Sequence, residues 1–388
     1  MKDVVIVAAV RTPLCKNGGE LTNLRAEELG ALVVKEAVTR AKIDPAQVDD
    51  VIFGCIANTD VKNVARVVWL GAGFPVHVPA FTVDSACGSS LRGLQLADSM
   101  IKSGAARCVV VGGTESCSNR PYTLDRVKDP ARYAPPNWSK HIISPKEYGN
   151  LSNGETAEVV AERYAITREE MDGAALRSHQ LAAKAWEEGY FNEQVIPVSV
   201  PQKKKDPVVV DKDHIYRADS SMEKLGKLPG AFRKGGNVTA GNSSPLTDGA
   251  SCMVVMERAL AEELGCEILG RIAGFAAAGG DPQIMGMGPL WSTKKLLEQT
   301  GLTIEDIDLV EINEAFASQY VACVKELGLP WEKVNVCGGA IALGHPFAAS
   351  GGILTARMLY ELRRRDLHRG IITFCIGGGL GVAMLVER

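Results

Sequence analysis

Two cysteines, a histidine and an asparagine occupy positions where they could perform nucleophilic and acid–base catalysis. Cys87 lies in AFTVDSACGSSLRGLQLADSMIKSG, between a strand-like stretch and residues with helical spacing. Unpaired backbone N–H groups at the start of a helix favour an anion, so the pattern predicts a thiolate and a lowered pKa for the Cys87 thiol. The small residues Gly88, Ser89 and Ser90 would let a substrate approach. A buried structural cysteine is the alternative interpretation of this motif alone.

The candidate base is His345, in GGAIALGHPFAASGG. It also stands just before a predicted helix, for which Ser350 is the candidate N-cap. An imidazole can take the proton from a nearby thiol and so activate it as a nucleophile. A histidine before a proline is often an ordinary loop residue, and the motif by itself does not decide between the two.

Two further side chains stand at the ends of predicted strands. Cys375 closes an apolar run in CIGGGLGVAML and suggests a proton-transfer group, with structural burial as the alternative. Asn313, after the run VEI, could hold a water molecule through its amide or could begin a turn. The glycines after Cys375 are not a dinucleotide-binding fingerprint, since no GxGxxG opens a long helix with an acidic residue beyond it.

The elements around these residues alternate between strand-like and helical, which predicts an α/β architecture with a largely buried sheet. Near the start, DPAQVDDVIFG leads to Cys87, a helix and CVVVGG; near the end, TIEDIDLVEIN leads to His345, a helix and IITFCIGGG. We interpret this shared order as a duplicated α/β unit, in which His345 takes the place of Cys87. Chance similarity between two α/β segments is the alternative.

The stretch from 119 to 246 differs from both copies because it is rich in proline, charged and polar residues. It contains one long predicted helix, which begins at a capping box formed by Thr167 and Glu170 and runs to about Gly189. Long insertions in compact domains often form lids or binding loops. We therefore expect this stretch to lie over the paired cores.

Composition narrows the class of protein. The chain has 388 residues, of which 46% are hydrophobic and 23% charged, as in globular proteins with more than one core. A net charge of −3 argues against nucleic-acid binding, and the apolar runs are too short to span a bilayer. The N-terminus lacks a signal-peptide layout. Ten scattered cysteines without a CxxC pair favour reduced thiols over a zinc or disulfide framework, so a cytoplasmic enzyme is expected.

In combination, these motifs resemble the thiolase family. The matching stretches are CGSSLRG, GGTESCSN, NGETAE, ALRSHQ, VTAGNSSPLTDGA, DPQIMGMGP, NEAF, GGAIALGHP and CIGGG, in the family's order. They cover essentially the whole chain. The resemblance implies two duplicated α/β halves stacked as αβαβα with an inserted loop domain. The implied domains are an N-terminal half of residues 1–118 plus 247–268, a loop domain of 119–246 that covers coenzyme A, and a C-terminal half of 269–388.

The resemblance also implies a reaction. A thiolase cleaves a 3-ketoacyl-CoA with coenzyme A, or runs the reverse Claisen condensation, through an acyl-cysteine. Here Cys87 would be the acylated nucleophile, His345 its base, and Cys375 the general acid/base, with a pKa matched to that of the coenzyme A thiol at ~8.5. Asn313, through a water, and His345 would form one oxyanion hole, and the N–H groups of Cys87 and Gly377 the other. Coenzyme A would be a substrate, with no permanently bound cofactor and no metal.

The resemblance implies contacts with coenzyme A as well. Arg217 would lie near the nucleotide, Phe232 against the pantetheine arm, and Ala240 and Ser244 along that arm; a solvated surface charge is the alternative for Arg217. Family members pair through their core sheets, so a homodimer or a dimer of dimers is implied, and some relatives work with a small partner subunit. Neither nucleic acid nor membrane is an expected partner.

The alternative enzyme is the related decarboxylating condensing enzyme, which pairs its cysteine with two histidines or with a histidine and an asparagine. Here Cys375 fills the second acid/base position, which favours a thiolase. Several positions of this chain differ from the acetoacetyl-type pattern. Ser152-Asn153 replaces His-Met, Trp291 replaces a small residue or proline, Phe347-Ala348 replaces an aliphatic residue and Gly, Asp84 replaces Asn, and Lys224 replaces a small residue. These differences predict a reshaped acyl pocket, and a substrate that is a branched, aromatic or carboxylated 3-ketoacyl-CoA rather than acetoacetyl-CoA.

Overall fold

The computed structural model describes residues 2–125, 138–139 and 142–388. Its strands are β1 (Val4–Arg11), β2 (Cys15–Lys16), β3 (Asp50–Gly54), β4 (Ala80–Val83), β5 (Cys108–Glu115), β6 (Val198–Gln202), β7 (Lys205–Val210), β8 (Thr247–Glu257), β9 (Gly270–Gly279), β10 (Leu309–Ile312), β11 (Arg369–Ile376) and β12 (Leu380–Glu387). Its helices are α1 (Ala26–Ala41), α2 (Val64–Gly71), α3 (Ser89–Ser103), α4 (Asn153–Arg163), α5 (Arg168–Glu187), α6 (Met222–Gly226), α7 (Arg258–Glu263), α8 (Gly288–Thr300), α9 (Ala317–Glu326), α10 (Ala340–Leu343) and α11 (Ser350–Arg365).

The main sheet contains the same arrangement of four strands twice. In the N-terminal part the order is β3-β5-β8-β1, with β4 added beside β3, and in the C-terminal part it is β10-β11-β12-β9. The pairs β3–β5 and β10–β11 are parallel, and the next strand in each part, β8 or β12, is antiparallel. The two parts meet where Val5 of β1 lies opposite Arg271 of β9. The topology confirms the predicted duplication.

Alternation of side chains along the strands divides the core into layers. Val4 and Ile6 of β1 face a central core shared with α3 and α11, whereas Val5 and Val7 face the core under α1 and α2. In the C-terminal part, β12 contributes alternately to the central core and to a core under α8 and α9. The layers are therefore helices, sheet, helices, sheet and helices, which confirms the αβαβα architecture.

Helix α3 has the apolar face that its sequence predicts. Leu91, Leu94, Ala97 and Ile101 are all fully buried, and Gly104 ends the helix in the left-handed conformation with φ of 81°. Replacing a leucine on this face by alanine would cost about 2–5 kcal/mol. Cys87 lies in the turn directly before the N-terminus of this helix, so the packing of the helix also fixes the position of the thiol.

The inserted region between β5 and β8 contains α4, α5, the β6–β7 hairpin and α6. Thr167 caps α5 by accepting a hydrogen bond from the Glu170 N–H at 3.2 Å, as predicted, and the helix ends at Glu187. Residues 126–137 and 140–141 of the predicted loop domain lie outside the described residues. No helix within the described ranges combines the length and the apolar character needed to cross a bilayer.

Candidate active site

Cys87 lies in a short 3₁₀ turn between β4 and α3. The residue before it, Ala86, has φ of 43°, a left-handed conformation that costs a non-glycine residue about 1–2 kcal/mol. The Asp84 side chain accepts a hydrogen bond from the Ala86 N–H at 2.9 Å, and the Ser89 hydroxyl accepts one from the Ser85 N–H at 2.9 Å. These two bonds hold the strained turn and fix the direction of the Cys87 side chain.

The turn of Cys87 packs against two other segments that carry predicted site residues. One is the turn at Phe347–Ala349, directly after His345, and the other is β11, which ends one residue beyond Cys375. The backbone N–H groups of Cys87 and Gly377 face the Cys87 sulfur. The thiol of Cys87 is close enough to that of Cys375 to raise the pKa of Cys375 through charge repulsion. The structure therefore brings these residues into one site.

The prediction that the pKa of Cys87 falls is wrong for the resting thiol. Burial raises the pKa of Cys87 to about 12, and the charge of Glu115 adds to the rise. The N–H groups of Cys87 and Gly377 lower this pKa, but burial outweighs them because a thiolate loses more hydration than two donors restore. The thiol is neutral at rest, so it needs a base to become a nucleophile.

His345 can be that base because its imidazole is also neutral at rest. The side chain is buried, and burial lowers the pKa of His345 to about 4. Its Nδ1 lies 2.6 Å from the Ser350 Oγ, and its Nε2 lies 3.4 Å from the Asn313 Nδ2. The Thr247 hydroxyl accepts a hydrogen bond from the His345 backbone N–H at 3.0 Å. The prediction that Ser350 is an N-cap is wrong: it is the first residue of α11, and its hydroxyl orients the imidazole instead.

Asn313 directly follows β10, where its backbone N–H donates to the Thr373 carbonyl at 3.0 Å. Its side-chain Oδ1 is buried and, within the described part of the chain, has no hydrogen-bond partner. A buried amide oxygen normally has a partner, so this oxygen marks a position for a polar ligand or a bound water. The amide lies beside His345, as expected if the two act on the same oxygen.

Cys375 lies in β11, opposite Gly381 of β12, and is almost fully buried. Burial raises the pKa of its thiol well above the usual range, and the neighbouring Cys87 and Cys323 add to the rise. The predicted match between this thiol and free coenzyme A is therefore wrong for the resting site. A Cβ on Gly288 would lie 3.0 Å from the Cα of Cys375, which explains why the second glycine of MGMGP stands there.

The expected coenzyme A contacts divide into two groups. Phe232 packs directly on Gly154. Its ring centroid lies 5.7 Å from that of Phe316, which follows Asn313 in the loop after β10. Ser244 is tied to the same loop, since its N–H donates to the Ala315 carbonyl at 3.0 Å. The other two residues, Arg217 and Ala240, are exposed at the surface of the inserted region.

Sequence reasoning missed one buried acid at this site, Glu115. Its carboxylate accepts hydrogen bonds from the N–H groups of Ile56 at 2.8 Å, Ala57 at 2.9 Å and Ala348 at 3.3 Å. Burial raises the pKa of Glu115 to about 7 despite these donors. The residue joins the loop after β3 to the loop after His345. An acidic residue at the end of the buried strand CVVVGGTE was the signal available in the sequence.

In the described ranges, no group of three or more histidine, cysteine or acidic side chains is arranged to hold a metal ion. All ten cysteines, which lie within these ranges, are free thiols.

Comparison with known proteins agrees with the geometry. The sequence model of the thiolase N-terminal domain matches residues 4–259, and that of the thiolase C-terminal domain matches residues 266–388. An acetyl-CoA acetyltransferase of Syntrophomonas wolfei is 43% identical, over 100% of this chain and 99% of that protein.

Two solved structures have the same fold. The acetyl-CoA acetyltransferase of Bacillus anthracis superposes with a TM-score of 0.93 at 44% identity, over 100% of this chain and 99% of its own. Human mitochondrial 3-ketoacyl-CoA thiolase in complex with CoA superposes with a TM-score of 0.93 at 37% identity, over 100% of this chain and 98% of its own. The chain therefore belongs to the thiolase family and is an acyltransferase.

Proposed function

We propose that the protein catalyses the coenzyme A-dependent cleavage of a 3-ketoacyl-CoA, or the reverse Claisen condensation, through an acyl-cysteine at position 87. The observation that supports this most directly is the convergence of three segments on one sulfur. The Cys87 turn packs against the loop of His345 and the strand of Cys375, and the Gly377 N–H points at the sulfur. This set contains a nucleophile, a base, a second acid and a hydrogen-bond donor for an oxyanion.

In the cleavage direction, the neutral imidazole of His345 takes the proton of Cys87 and the thiolate attacks the 3-keto carbon. The bond between C2 and C3 then breaks, and its electron pair goes to the departing acetyl-CoA enolate. Cys375, held neutral by burial, donates the proton that this carbon needs. The acyl group remains on Cys87 as a thioester.

In the second half-reaction, Cys375 accepts the proton of an incoming coenzyme A thiol, which attacks the acyl-cysteine. Cys87 leaves as a thiolate and regains its proton from His345. The acyl group passes between two thioesters, so the transfer is nearly isoenergetic and reversible. The N–H groups of Cys87 and Gly377 would stabilise one oxyanion, and Asn313, through a water, with His345 the other.

Coenzyme A is proposed to bind under the inserted region. Phe232 would contact the pantetheine arm and Ser244 and Ala240 would line it, since Phe232 and Ser244 both adjoin the loop after β10. Arg217 is exposed and could reach the phosphates of the nucleotide. The free cysteines support a reducing, cytoplasmic location.

Self-association is part of the proposal. Strand β4 lies at the end of the sheet order with β3 as its partner, and its four residues are half-buried. Such an edge is a template for pairing with a second copy of the chain. Sedimentation of the purified protein would test for a dimer or a dimer of dimers, and a single-chain mass would contradict it; co-purification would reveal any small partner subunit.

The proposed substrate is a specialised 3-ketoacyl-CoA rather than acetoacetyl-CoA, as in fatty-acid or aromatic acyl-CoA degradation. Three departures from the acetoacetyl pattern lie at the site. Asp84 braces the Cys87 turn, and the ring of Phe347 lies edge-on to His345 with a centroid distance of 5.5 Å. The third, Asn153, lies near Gly377.

The test of the chemistry is detection of acylated Cys87. The protein is mixed with a panel of 3-ketoacyl-CoAs without coenzyme A, digested, and analysed by peptide mass spectrometry. A mass increase on the Cys87 peptide, absent in Cys87→Ala, supports the proposal. Acyl transfer that persists in Cys87→Ala would instead favour another chemistry. Release of carbon dioxide from malonyl-CoA as the main reaction would favour the condensing-enzyme alternative. Fast, selective cleavage of acetoacetyl-CoA would reject the specialised substrate.

A further inference from the structure

Asn153, the first residue of α4, lies on the wall of the candidate active site. A Cβ placed on Gly377 would be 3.7 Å from the Asn153 Oδ1 and 3.4 Å from the Ile143 Cγ2. Because the Gly377 N–H faces the Cys87 sulfur, the asparagine amide stands next to the proposed oxyanion hole. The next residue, Gly154, packs on Phe232, the proposed contact of the pantetheine arm.

The side-chain oxygen of Asn153 lacks a hydrogen-bond donor. This Oδ1 atom is buried and has no partner among the described residues. Leaving a buried amide oxygen without a partner costs folding free energy, so such an atom at a binding site is satisfied by a ligand or a water. An aliphatic acyl chain packed against it would leave the oxygen unpaired and would be disfavoured.

We propose that Asn153 is a specificity-determining residue that selects a 3-ketoacyl-CoA whose acyl chain bears a hydrogen-bond donor such as a hydroxyl group. The inference rests on the proposed function, since it concerns the acyl group that Cys87 would carry. The atom that lacks a partner is the Oδ1, which can only accept, so a hydroxyl satisfies it by donating its proton. An ionised carboxylate has no proton to donate and would leave this oxygen unpaired.

The experiment compares three 3-ketoacyl-CoAs of equal chain length that end in a methyl, a hydroxyl or a carboxyl group. For the unmodified protein, kcat/KM for the hydroxyl-terminated substrate should exceed that for the methyl-terminated one by about tenfold or more, because a site built to hydrogen-bond rejects a partner without the group. The carboxyl-terminated substrate should show no such gain, because it has no proton to donate to the Asn153 Oδ1. A preference for the carboxyl-terminated over the hydroxyl-terminated substrate would also overturn the inference.

Asn153→Leu should lose this preference, and Asn153→Met provides a second variant if the first does not fold. Asn192→Leu, at an exposed asparagine after α5, is the matched control and should keep the preference. Equal or higher kcat/KM for the methyl-terminated substrate in the unmodified protein overturns the inference, as does a preference that survives in both Asn153 variants. Failure of the proposed function looks different: Cys87 would be acylated by none of the three substrates and not by acetoacetyl-CoA.

Discussion

The Nδ1 atom of His345 lies 2.6 Å from the Oγ of Ser350, the first residue of α11. This contact leaves the Nε2, on the other side of the ring, next to Asn313. A hydrogen bond at one ring nitrogen fixes which tautomer the imidazole adopts and therefore which nitrogen can accept a proton. The first residue of α11 thus orients the imidazole that we propose as the base.

Replacing Ser350 by alanine is expected to reduce kcat without abolishing it. The imidazole loses its buried partner, at a cost of about 1–3 kcal/mol, which corresponds to a decrease in kcat of about 5- to 150-fold. Steady-state thiolysis measures the change. Ser99→Ala, at an exposed serine on α3, is the control and should retain full activity. An unchanged kcat in Ser350→Ala would show that the contact does not orient the imidazole.

Alkylation of Cys87 should be slow at neutral pH. Since burial raises the pKa of this thiol to about 12, the thiolate fraction and the rate with iodoacetamide should rise about tenfold per pH unit between pH 7 and 10, without a plateau. Glu115→Gln removes a negative charge that raises this pKa, so alkylation should become faster at each pH. A plateau below pH 9 would contradict the neutral resting thiol.

Stability should fall as the pH is lowered through the range where unfolded histidine takes up a proton. Burial lowers the pKa of His345 from 6.5 to about 4, so below pH 6.5 the unfolded chain binds a proton that the folded chain does not. The stability that comes from keeping His345 neutral is fully present above pH 6.5. It is lost towards pH 4, at about 1.4 kcal/mol of unfolding free energy per pH unit. Urea unfolding at pH 7 and pH 5 should show a smaller difference for His345→Gln than for the unmodified protein. An equal difference in both proteins would contradict this linkage.

The inserted region should depend on the buried ion pair between Arg11 and Asp213. The guanidinium donates two hydrogen bonds to the carboxylate, at 2.7 and 2.9 Å, and both side chains are almost fully buried. Arg11→Met leaves a buried carboxylate without its counter-charge and should lower the free energy of unfolding by about 3–5 kcal/mol. Lys227→Met, which breaks an exposed pair with Glu223, should change it little. A similar decrease in the free energy of unfolding in both variants would show that the Arg11–Asp213 ion pair does not stabilise the inserted region.

Arg217→Ala tests the proposed nucleotide contact. The guanidinium is exposed, so loss of its attraction to phosphate should raise KM for coenzyme A severalfold and leave kcat nearly unchanged, and the effect should shrink at high salt. Lys35→Ala, on the exposed face of α1, should leave KM unaltered. If the two variants behave alike, Arg217 is an ordinary surface charge.

Local patterns in the sequence were sufficient to predict most of the elements. The helix with Leu91 and Leu94 on its buried face, the capping box at Thr167 and the strand that ends at Val83 are set by residues close together in the chain. The duplication was visible because each half repeats the same order of elements around Cys87 or His345. Short-range periodicity and capping need no knowledge of distant contacts.

The sequence by itself was sufficient for the fold and the family and named the candidate reactive side chains, because residue types and motif order are local information. Only the tertiary structure decided their protonation and their partners. The raised pKa values of Cys87 and Cys375 and the contact of Ser350 with His345 depend on burial and on packing. So does the Oδ1 of Asn153, which has no hydrogen-bond partner in the part of the chain that the structure describes. Desolvation acts through the whole packed environment of a group, and a local motif does not record how deeply folding will bury it.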